Sequence, residues 1–170
     1  EHIDWLNENL EANSTVGCNG FLFSKSQIDQ YSKLLAKADM KINTQIDLIS
    51  EIWDDRPEPP SEYVYQLELK YTGKTRSEKI DDLRQKFTPQ ANQYLITALD
   101  DIAWLFNLRG NDVSYNPVFI AYAIVTKSTT LLFVDESKIP TELKTSLQSE
   151  NISIRPYNSI VSYLNNMSEE

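Results

Sequence analysis

The sequence predicts an α/β protein of three layers, in which helices cover both faces of a mixed sheet. Apolar residues follow helical and strand-like spacings in alternation along most of the chain. Residues 118–126 are nearly all apolar, as in a strand that is buried on both faces. Lys127 and Ser128 form a tight turn into a second apolar strand at 129–134, and this hairpin makes part of the sheet antiparallel.

The first third of the chain is predicted to alternate short helices and strands. Its elements are helices at 2–10, 24–38 and about 44–53, and strands at 14–18 and 40–43. Ser24 and Gln27 have the spacing of a capping box, in which side chains satisfy free backbone N–H groups of the first helical turn. The apolar side of the third helix is predicted to consist of Ile46, Ile49, Ile52 and Trp53.

A proline-rich segment separates this part from the rest of the chain. Pro57, Pro59 and Pro60 lie within four consecutive positions, where they remove backbone donors and disfavour a helix. Residues 54–61 are therefore predicted to form an extended linker. A domain boundary is expected here, between residues 1–56 and residues 57–170.

The second part is predicted to contain more strands than the first. Its elements are strands at 63–69, 93–97, 118–126, 129–134 and 152–154, and helices at about 75–87, 100–106, after Pro140, and around 160–164. Alternation in the first of these strands places Tyr63, Tyr65, Leu67 and Leu69 on one face. Asp100 and Asp101 lie where the start of a helix favours negative charge.

Composition and charge narrow the classes of function. The 170 residues suffice for one good core or two small ones. A net charge of −9 disfavours binding to nucleic acid or anionic membrane surfaces, because like charges repel. No apolar run approaches the roughly 20 residues of a membrane span, and the first residues lack the layout of a signal peptide. The chain begins at Glu1 and ends at Glu170, and we interpret both ends as cuts in a longer protein.

Few residues have the chemistry of an active site. One histidine, His2, and one cysteine, Cys18, offer little for a zinc site and nothing for a histidine-based triad. Cys18 is predicted to be a buried structural thiol. The glycines are scattered, at 17, 20, 73 and 110, so the sequence has no glycine-rich phosphate loop. Adjacent carboxylates, as at 54–55, 81–82 and 100–101, are explained by solvated faces and helix starts.

Three blocks of residues resemble three-domain Xaa-Pro aminopeptidases, the aminopeptidase P branch of the creatinase/prolidase (pita-bread) family. Residues 49–57 resemble the segment that joins the first and second domains of these enzymes, and residues 69–84 resemble the start of the second domain. The most specific block is Thr97-Ala-Leu-Asp-Asp-Ile-Ala-Trp-Leu-Phe-Asn-Leu-Arg-Gly110, followed by Asp112 and residues 115–119.

This resemblance implies a ribonuclease-H-like α/β fold for each domain, with residues 1–56 as the C-terminal part of domain I and 57–170 as domain II. It implies a parent enzyme that removes an N-terminal residue when proline follows it, using two divalent ions, typically manganese, to activate a water. The metal ligands belong to a separate C-terminal catalytic domain. We therefore expect no cofactor and no peptidase activity in this chain alone. The implied partners are that domain, a peptide with proline at its second position, and a second subunit. The proline linker at 57–60 and the acidic composition favour a cytoplasmic location.

A polar loop after the predicted helix at 100–106 is the candidate for recognition. Its residues are Arg109, Asn111, Asp112, Tyr115 and Asn116. One hypothesis is that this loop walls the substrate cleft and that Arg109 pairs with a carboxylate of the catalytic domain. The other is that the loop holds a turn, with a positive φ at Gly110 and an Asx-turn at Asp112. Trp104 is predicted either to fill the core or to pack against the proline ring of a substrate.

Two alternative functions remain open from the sequence. One is a pita-bread homologue that binds peptides or histones without peptidase activity. The other is an unrelated α/β module for a small ligand, for which no pocket motif is found.

Overall fold

The structure, a computed structural model, describes residues 2–167. The chain divides into two compact units, Glu1–Glu58 and Pro59–Glu170. Glu1 and residues 168–170 lie outside the described residues. The interpretation of the chain ends rests in part on these residues.

The first unit is built around two short parallel strands. Its elements are α1 (His2–Asn9), β1 (Thr15–Gly17), α2 (Lys25–Leu35), β2 (Lys41–Asn43) and α3 (Leu48–Ile52). Val16 of β1 lies opposite Ile42 of β2. The predicted capping box of Ser24 and Gln27 at the start of α2 is confirmed. Ile3, Leu35 and Met40 form a small core between the helices and the strands.

The third predicted helix of this unit is shorter than its apolar pattern indicates. α3 begins at Leu48 because the carboxylate of Asp47 accepts a hydrogen bond from the backbone N–H of Ser50 and so caps the helix there. Gln45, which the prediction placed inside the helix, instead bridges to Asn19. Of the residues on the predicted apolar side of the helix, Ile49, Ile52 and Trp53 are 54%, 76% and 46% exposed.

The second unit has a four-stranded mixed sheet. Its elements are β3 (Tyr65–Gln66), α4 (Leu69–Thr72), α5 (Arg76–Arg84), β4 (Gln93–Ile96), α6 (Leu99–Leu105), β5 (Leu108–Arg109), β6 (Ala121–Thr126), β7 (Thr130–Val134), α7 (Thr141–Ser149), β8 (Ile152–Pro156) and α8 (Ile160–Asn166). The strand order is β4-β6-β7-β8, with two antiparallel pairs and a parallel pair between β7 and β8. The hairpin predicted around Lys127 and Ser128 is confirmed.

Helices cover both faces of this sheet, which confirms the predicted three-layer α/β/α fold. On one face, Ile80 of α5, Ile102 of α6 and Leu147 of α7 pack against β6, β7 and β8 in the main core. On the other face, Ile160 of α8 packs against Phe133 and its neighbours in a smaller cluster. The apolar run of β6 is therefore explained by burial from both sides.

The predicted strand over residues 63–69 is wrong in its length and in the face that it buries. Only Tyr65 and Gln66 form a strand, which pairs with β5, and α4 begins at Leu69. Val64 is fully buried, whereas Tyr63 and Tyr65 are 68% and 46% exposed. The N–H of Val64 donates to Lys138 and that of Leu67 to Asn107, so these loop contacts replace a longer strand ladder.

The strand predicted to begin at residue 118 begins at Ala121. Backbone groups of two of the three preceding residues, Val118 and Ile120, bond to the loop before them. Val118 donates its N–H to the carbonyl of Asn116 and accepts from Asp112, and Ile120 donates to the carboxylate of Asp112. These local bonds compete with the sheet and delay the strand by three residues.

Candidate functional site

The candidate loop lies between α6 and β6 and is fixed at its start by a left-handed residue. Asn107 has a φ of 54°, which turns the chain out of α6 and into β5. β5 pairs antiparallel with β3, so that Arg109 lies opposite Tyr65. The loop that follows runs from Gly110 to Ile120 and therefore starts and ends at strands of the second unit.

Arg109 lies partly buried against the carboxyl end of α6. Its Nη1 donates to the carbonyl oxygens of Ala103 and Leu108, both at 2.8 Å. No carboxylate of residues 2–167 lies within ion-pair distance of this guanidinium. Within the same residues, no hydrogen bond uses Nε or Nη2. The pairing of Arg109 with a carboxylate of another domain stays a prediction.

Gly110 is required by close approach and not by a positive φ, so that part of the turn hypothesis is wrong. A Cβ at this position would lie 2.7 Å from the Cβ of Phe119, which is closer than real Cβ contacts come. The left-handed residue of the loop is instead Tyr115, with a φ of 63°. Glycine here lets β5 approach the segment that leads into β6.

Asp112 points into the protein and anchors the loop. Its Oδ2 accepts a hydrogen bond from the N–H of Ile120 at 2.6 Å and a short contact from Nζ of Lys138. The side chains of Asp112 and Lys138 are 0% and 3% exposed. The predicted Asx-turn is wrong, because the bond to Ile120 spans eight residues. The Oδ1 atom of Asp112 is buried without a hydrogen-bond partner among the described residues.

The remaining loop residues face solvent. Nδ2 of Asn111 donates to the carboxylate of Glu62 at 2.7 Å in an exposed bond. Tyr115 is fully exposed, and the N–H of Asn116 closes a turn on the carbonyl of Val113. The loop therefore divides into an inward anchor, Asp112, and outward side chains that are free to contact another surface.

Trp104 lies at the surface, so the core alternative for this residue is wrong. It is 54% exposed, and Nζ of Lys79 lies 4.3 Å from the centroid of its ring. Lys79 is a residue that the sequence did not reveal. It is 2% exposed and donates to the carbonyl oxygen of Trp104 at 2.9 Å and to Oδ1 of Asn107 at 2.6 Å. Burial, with a smaller contribution from the charge of Arg109, lowers the pKa of Lys79.

Comparison with known proteins identifies the family. Residues 55–170 match the creatinase/prolidase N-terminal domain. The chain belongs to this family. It is 41% identical over 160 residues to a probable Xaa-Pro aminopeptidase P of Ajellomyces capsulatus, and this alignment covers 92% of the chain and 26% of the relative. It is 38% identical over 177 residues to Xaa-Pro aminopeptidase 1 of Dictyostelium discoideum, covering 98% of the chain and 28% of that protein.

A solved structure extends the likeness to the fold of nearly the whole chain. It is the X-prolyl aminopeptidase from Caenorhabditis elegans, described as a cytosolic enzyme with a di-nuclear active site, with a TM-score of 0.80 and 32% identity. The match covers 98% of the chain and 27% of that structure. The chain thus spans about a quarter of the length of the Xaa-Pro aminopeptidases that it matches.

The residues of this creatinase/prolidase N-terminal domain do not fit a metal centre. Among residues 2–167, no three His, Cys, Asp or Glu side chains lie close enough to hold an ion together. His2 packs edge-on against Tyr31, with ring centroids 5.4 Å apart. Cys18 is partly exposed, so its predicted burial is wrong. Over the same residues, no helix is long and apolar enough to cross a bilayer.

Proposed function

We propose that this chain is a non-catalytic N-terminal and middle region of an Xaa-Pro aminopeptidase. Residues 1–56 would be the C-terminal part of domain I and residues 57–170 domain II. The observation that carries the proposal is the likeness to Xaa-Pro aminopeptidases over 92–98% of the chain but only about a quarter of those proteins. Because the relatives that the chain matches bear this name, they support a peptidase over the peptide- or histone-binding alternative.

The whole enzyme would release an N-terminal residue that precedes proline. Two divalent ions, which we propose to be manganese, would supply the activated water in a catalytic domain outside these residues. The C. elegans enzyme is described as cytosolic, which supports a cytoplasmic location for this protein as well. The partners of this region would be the catalytic domain, the proline-containing peptide and a second subunit of the parent.

The role of the region would be to shape the substrate cleft, through the loop at 109–116 and Trp104. A rigid loop with exposed polar side chains is suited to recognition. Asp112 supplies the rigidity, because its buried carboxylate ties the loop to Lys138 and to the start of β6. Arg109 supplies a positive charge with a defined direction, because Nε and Nη2 together can form a bidentate pair of hydrogen bonds with a carboxylate.

Replacement of Arg109 in the full-length enzyme tests this role. We expect Arg109→Ala to lower kcat/KM by about tenfold or more, which corresponds to about 1.4 kcal/mol. Arg109→Lys should recover part of the loss, since the charge remains while the planar fork is gone. Arg155→Ala on β8 is the control, because it removes an exposed arginine of the same unit that does not belong to the loop.

An unchanged kcat/KM in Arg109→Ala would contradict a cleft role and leave Arg109 with the α6 contacts alone. A loss of activity that is explained by a loss of folded protein would also contradict a cleft role. The free energy of unfolding of each variant therefore has to be measured beside the kinetics.

A further inference from the structure

Lys79 differs from the other buried cations of the described residues. Three cationic side chains are almost fully buried: Arg76, Lys79 and Lys138. Arg76 contacts the carboxylate of Glu150 at 3.0 Å, and Lys138 contacts Asp112. Lys79 contacts no carboxylate among residues 2–167, and the neighbouring charge that acts on it is the positive one of Arg109. Lys79 and Arg109 therefore both bind carbonyl oxygens near the end of α6, and neither forms an ion pair with a carboxylate among residues 2–167.

The contacts of Lys79 hold Trp104 in one orientation. Its ammonium bonds to the carbonyl of Trp104 and to Asn107, and lies over the indole ring. Asn107 is itself held by a hydrogen bond from its Nδ2 to the carbonyl of Lys74 at 2.8 Å. One face of the indole is thus occupied by a buried cation, while more than half of the residue stays exposed. Lys79 acts as a positioning residue for an exposed aromatic ring.

A small groove beside this ring adds a second aromatic side chain. It has a volume of about 250 Å³ and lies between α5, β4 and α6. Its walls include Trp104 and Tyr94, which is 52% exposed. Of the acidic residues along it, Asp82 is paired with Lys74 at 2.6 Å, and Asp101 lies in the first turn of α6, away from the carbonyl groups that Lys79 and Arg109 bind. Trp and Tyr are both enriched at the energetic centre of an interface.

We infer that the surface formed by Trp104 and Arg109, with Lys79 buried behind the indole, docks an acidic segment of the same protein that lies outside these 170 residues. A carboxylate of that segment binds the Nε–Nη2 edge of Arg109, and a neighbouring apolar side chain packs on the open face of the Trp104 indole. Charge complementarity selects an acid, because Arg109 is cationic, meets no carboxylate among residues 2–167 and uses only Nη1 in its hydrogen bonds there. The inference rests on the proposed function, in which most of the enzyme lies outside this chain.

A probe that carries only the docking chemistry tests the site on the 170-residue chain. The probe is N-acetyl-phenylalanine, which has a ring and a carboxylate, and its control is the uncharged N-acetyl-phenylalaninamide. The readouts are the NMR resonances of the Trp104 indole N–H and the Arg109 Nε–H. We expect both resonances to shift with the acid and the amide to bind about fivefold more weakly, equivalent to about 1 kcal/mol. Equal binding of acid and amide would overturn the inference.

Three variants locate the binding. Arg109→Gln and Lys79→Met should each weaken the acid about fivefold, and Trp104→Ala should abolish the shift at Arg109. Lys70→Met is the matched control, because Lys70 lies 4.8 Å from the ring of Tyr71 in an exposed pair of the same kind. If Lys79→Met fails to fold, Arg109→Gln alone decides. Unchanged binding in Arg109→Gln sinks the proposal.

The outcomes separate this inference from the proposed function. The Trp104 resonance is also followed with a peptide that begins Arg-Pro-Pro. A larger shift with this peptide than with the acidic probe would show that the surface binds substrate and not an acidic segment, and would overturn the inference. Binding of the acidic probe together with full activity of Arg109→Ala in the parent would keep the docking site and reject the cleft role. No binding of the acidic probe, together with reduced activity of Arg109→Ala in the parent, would keep the cleft role and reject the docking site.

Discussion

The second unit buries two lysines in opposite electrostatic surroundings. Lys138 contacts the fully buried carboxylate of Asp112, which also accepts the N–H of Ile120. Lys79 contacts a carbonyl, an amide oxygen and an indole, with the positive charge of Arg109 as its electrostatic neighbour. Both lysine side chains are hydrogen-bonded, but only Lys138 is neutralised by a carboxylate among the described residues.

This difference assigns different roles to the two regions. The charges of Asp112 and Lys138 neutralise each other in the interior. Their contact therefore fixes the loop and leaves no net charge to attract another group. The ammonium of Lys79 contacts one face of the Trp104 indole, while more than half of that residue stays exposed. The loop anchor is thus a structural device, while the Lys79–Trp104 region is suited to contact with another group.

The largest expected effect comes from breaking the neutralised pair. Asp112→Ala leaves Lys138 buried without a counter-ion and the N–H of Ile120 without an acceptor. We expect a loss of about 3–5 kcal/mol in the free energy of unfolding, measured by urea denaturation of the 170-residue chain. Glu136→Ala is the control. It breaks an ion pair to Lys144 whose two side chains are about 40% exposed, and it should cost less than about 1 kcal/mol. Similar losses in the two variants would remove the distinction between the regions.

Lys79→Met is expected to cost less than Asp112→Ala, because no buried charge is left behind. The change removes the donors to Trp104 and Asn107, which costs about 1–3 kcal/mol for buried acceptors. It also relieves the burial of an unneutralised ammonium, which offsets part of that cost. We expect a net loss of about 1 kcal/mol by the same denaturation measurement. A loss as large as that of Asp112→Ala would show that Lys79 is the stronger structural anchor.

The stability difference between the wild type and Lys79→Met is expected to depend on pH. Burial lowers the pKa of Lys79 from its ordinary value of 10.5. Between the lowered pKa and 10.5, the unfolded chain binds a proton that the folded chain has released, so stability contributed by this group rises with pH. The free energy of unfolding of the wild type, relative to Lys79→Met, should therefore be larger near pH 10 than at pH 7. A constant or smaller difference would contradict an unneutralised Lys79.

The smallest effect is expected on the outer side of the loop. Asn111→Ala removes an exposed hydrogen bond to Glu62 and should change the free energy of unfolding by less than about 0.5 kcal/mol. A loss above about 1 kcal/mol would mean that the loop depends on its exposed contacts as well as on Asp112.

Much of the fold of the second unit follows from local patterns. The apolar run before Lys127, the turn at Lys127 and Ser128, and the helix after Pro140 are each decided by neighbours in sequence. The region of residues 63–69 fails because its alternation is real but its backbone bonds go to Lys138 and Asn107, which are distant in the chain. Long-range partners of this kind leave no periodic signal.

The position of the candidate loop was predictable, but its contacts were not. Glycine, asparagine and aspartate marked the loop correctly, since such residues favour turns. The direction of Asp112 depended on Lys138, and the exposure of Trp104 depended on Lys79 of another helix. Nothing in the sequence separates Lys79 from the other lysines around α5, because burial arises only when α5 and α6 pack together.

The measurement that bears most directly on this account is a peptide-cleavage assay of the 170-residue chain beside the full-length enzyme. Both are incubated with a peptide beginning Arg-Pro-Pro, with and without added manganese, and the released N-terminal residue is quantified. We expect release by the full-length enzyme and none above the blank by the 170-residue chain, together with no saturable manganese binding by calorimetry. Release of the N-terminal residue by the 170-residue chain would contradict the assignment of a non-catalytic role.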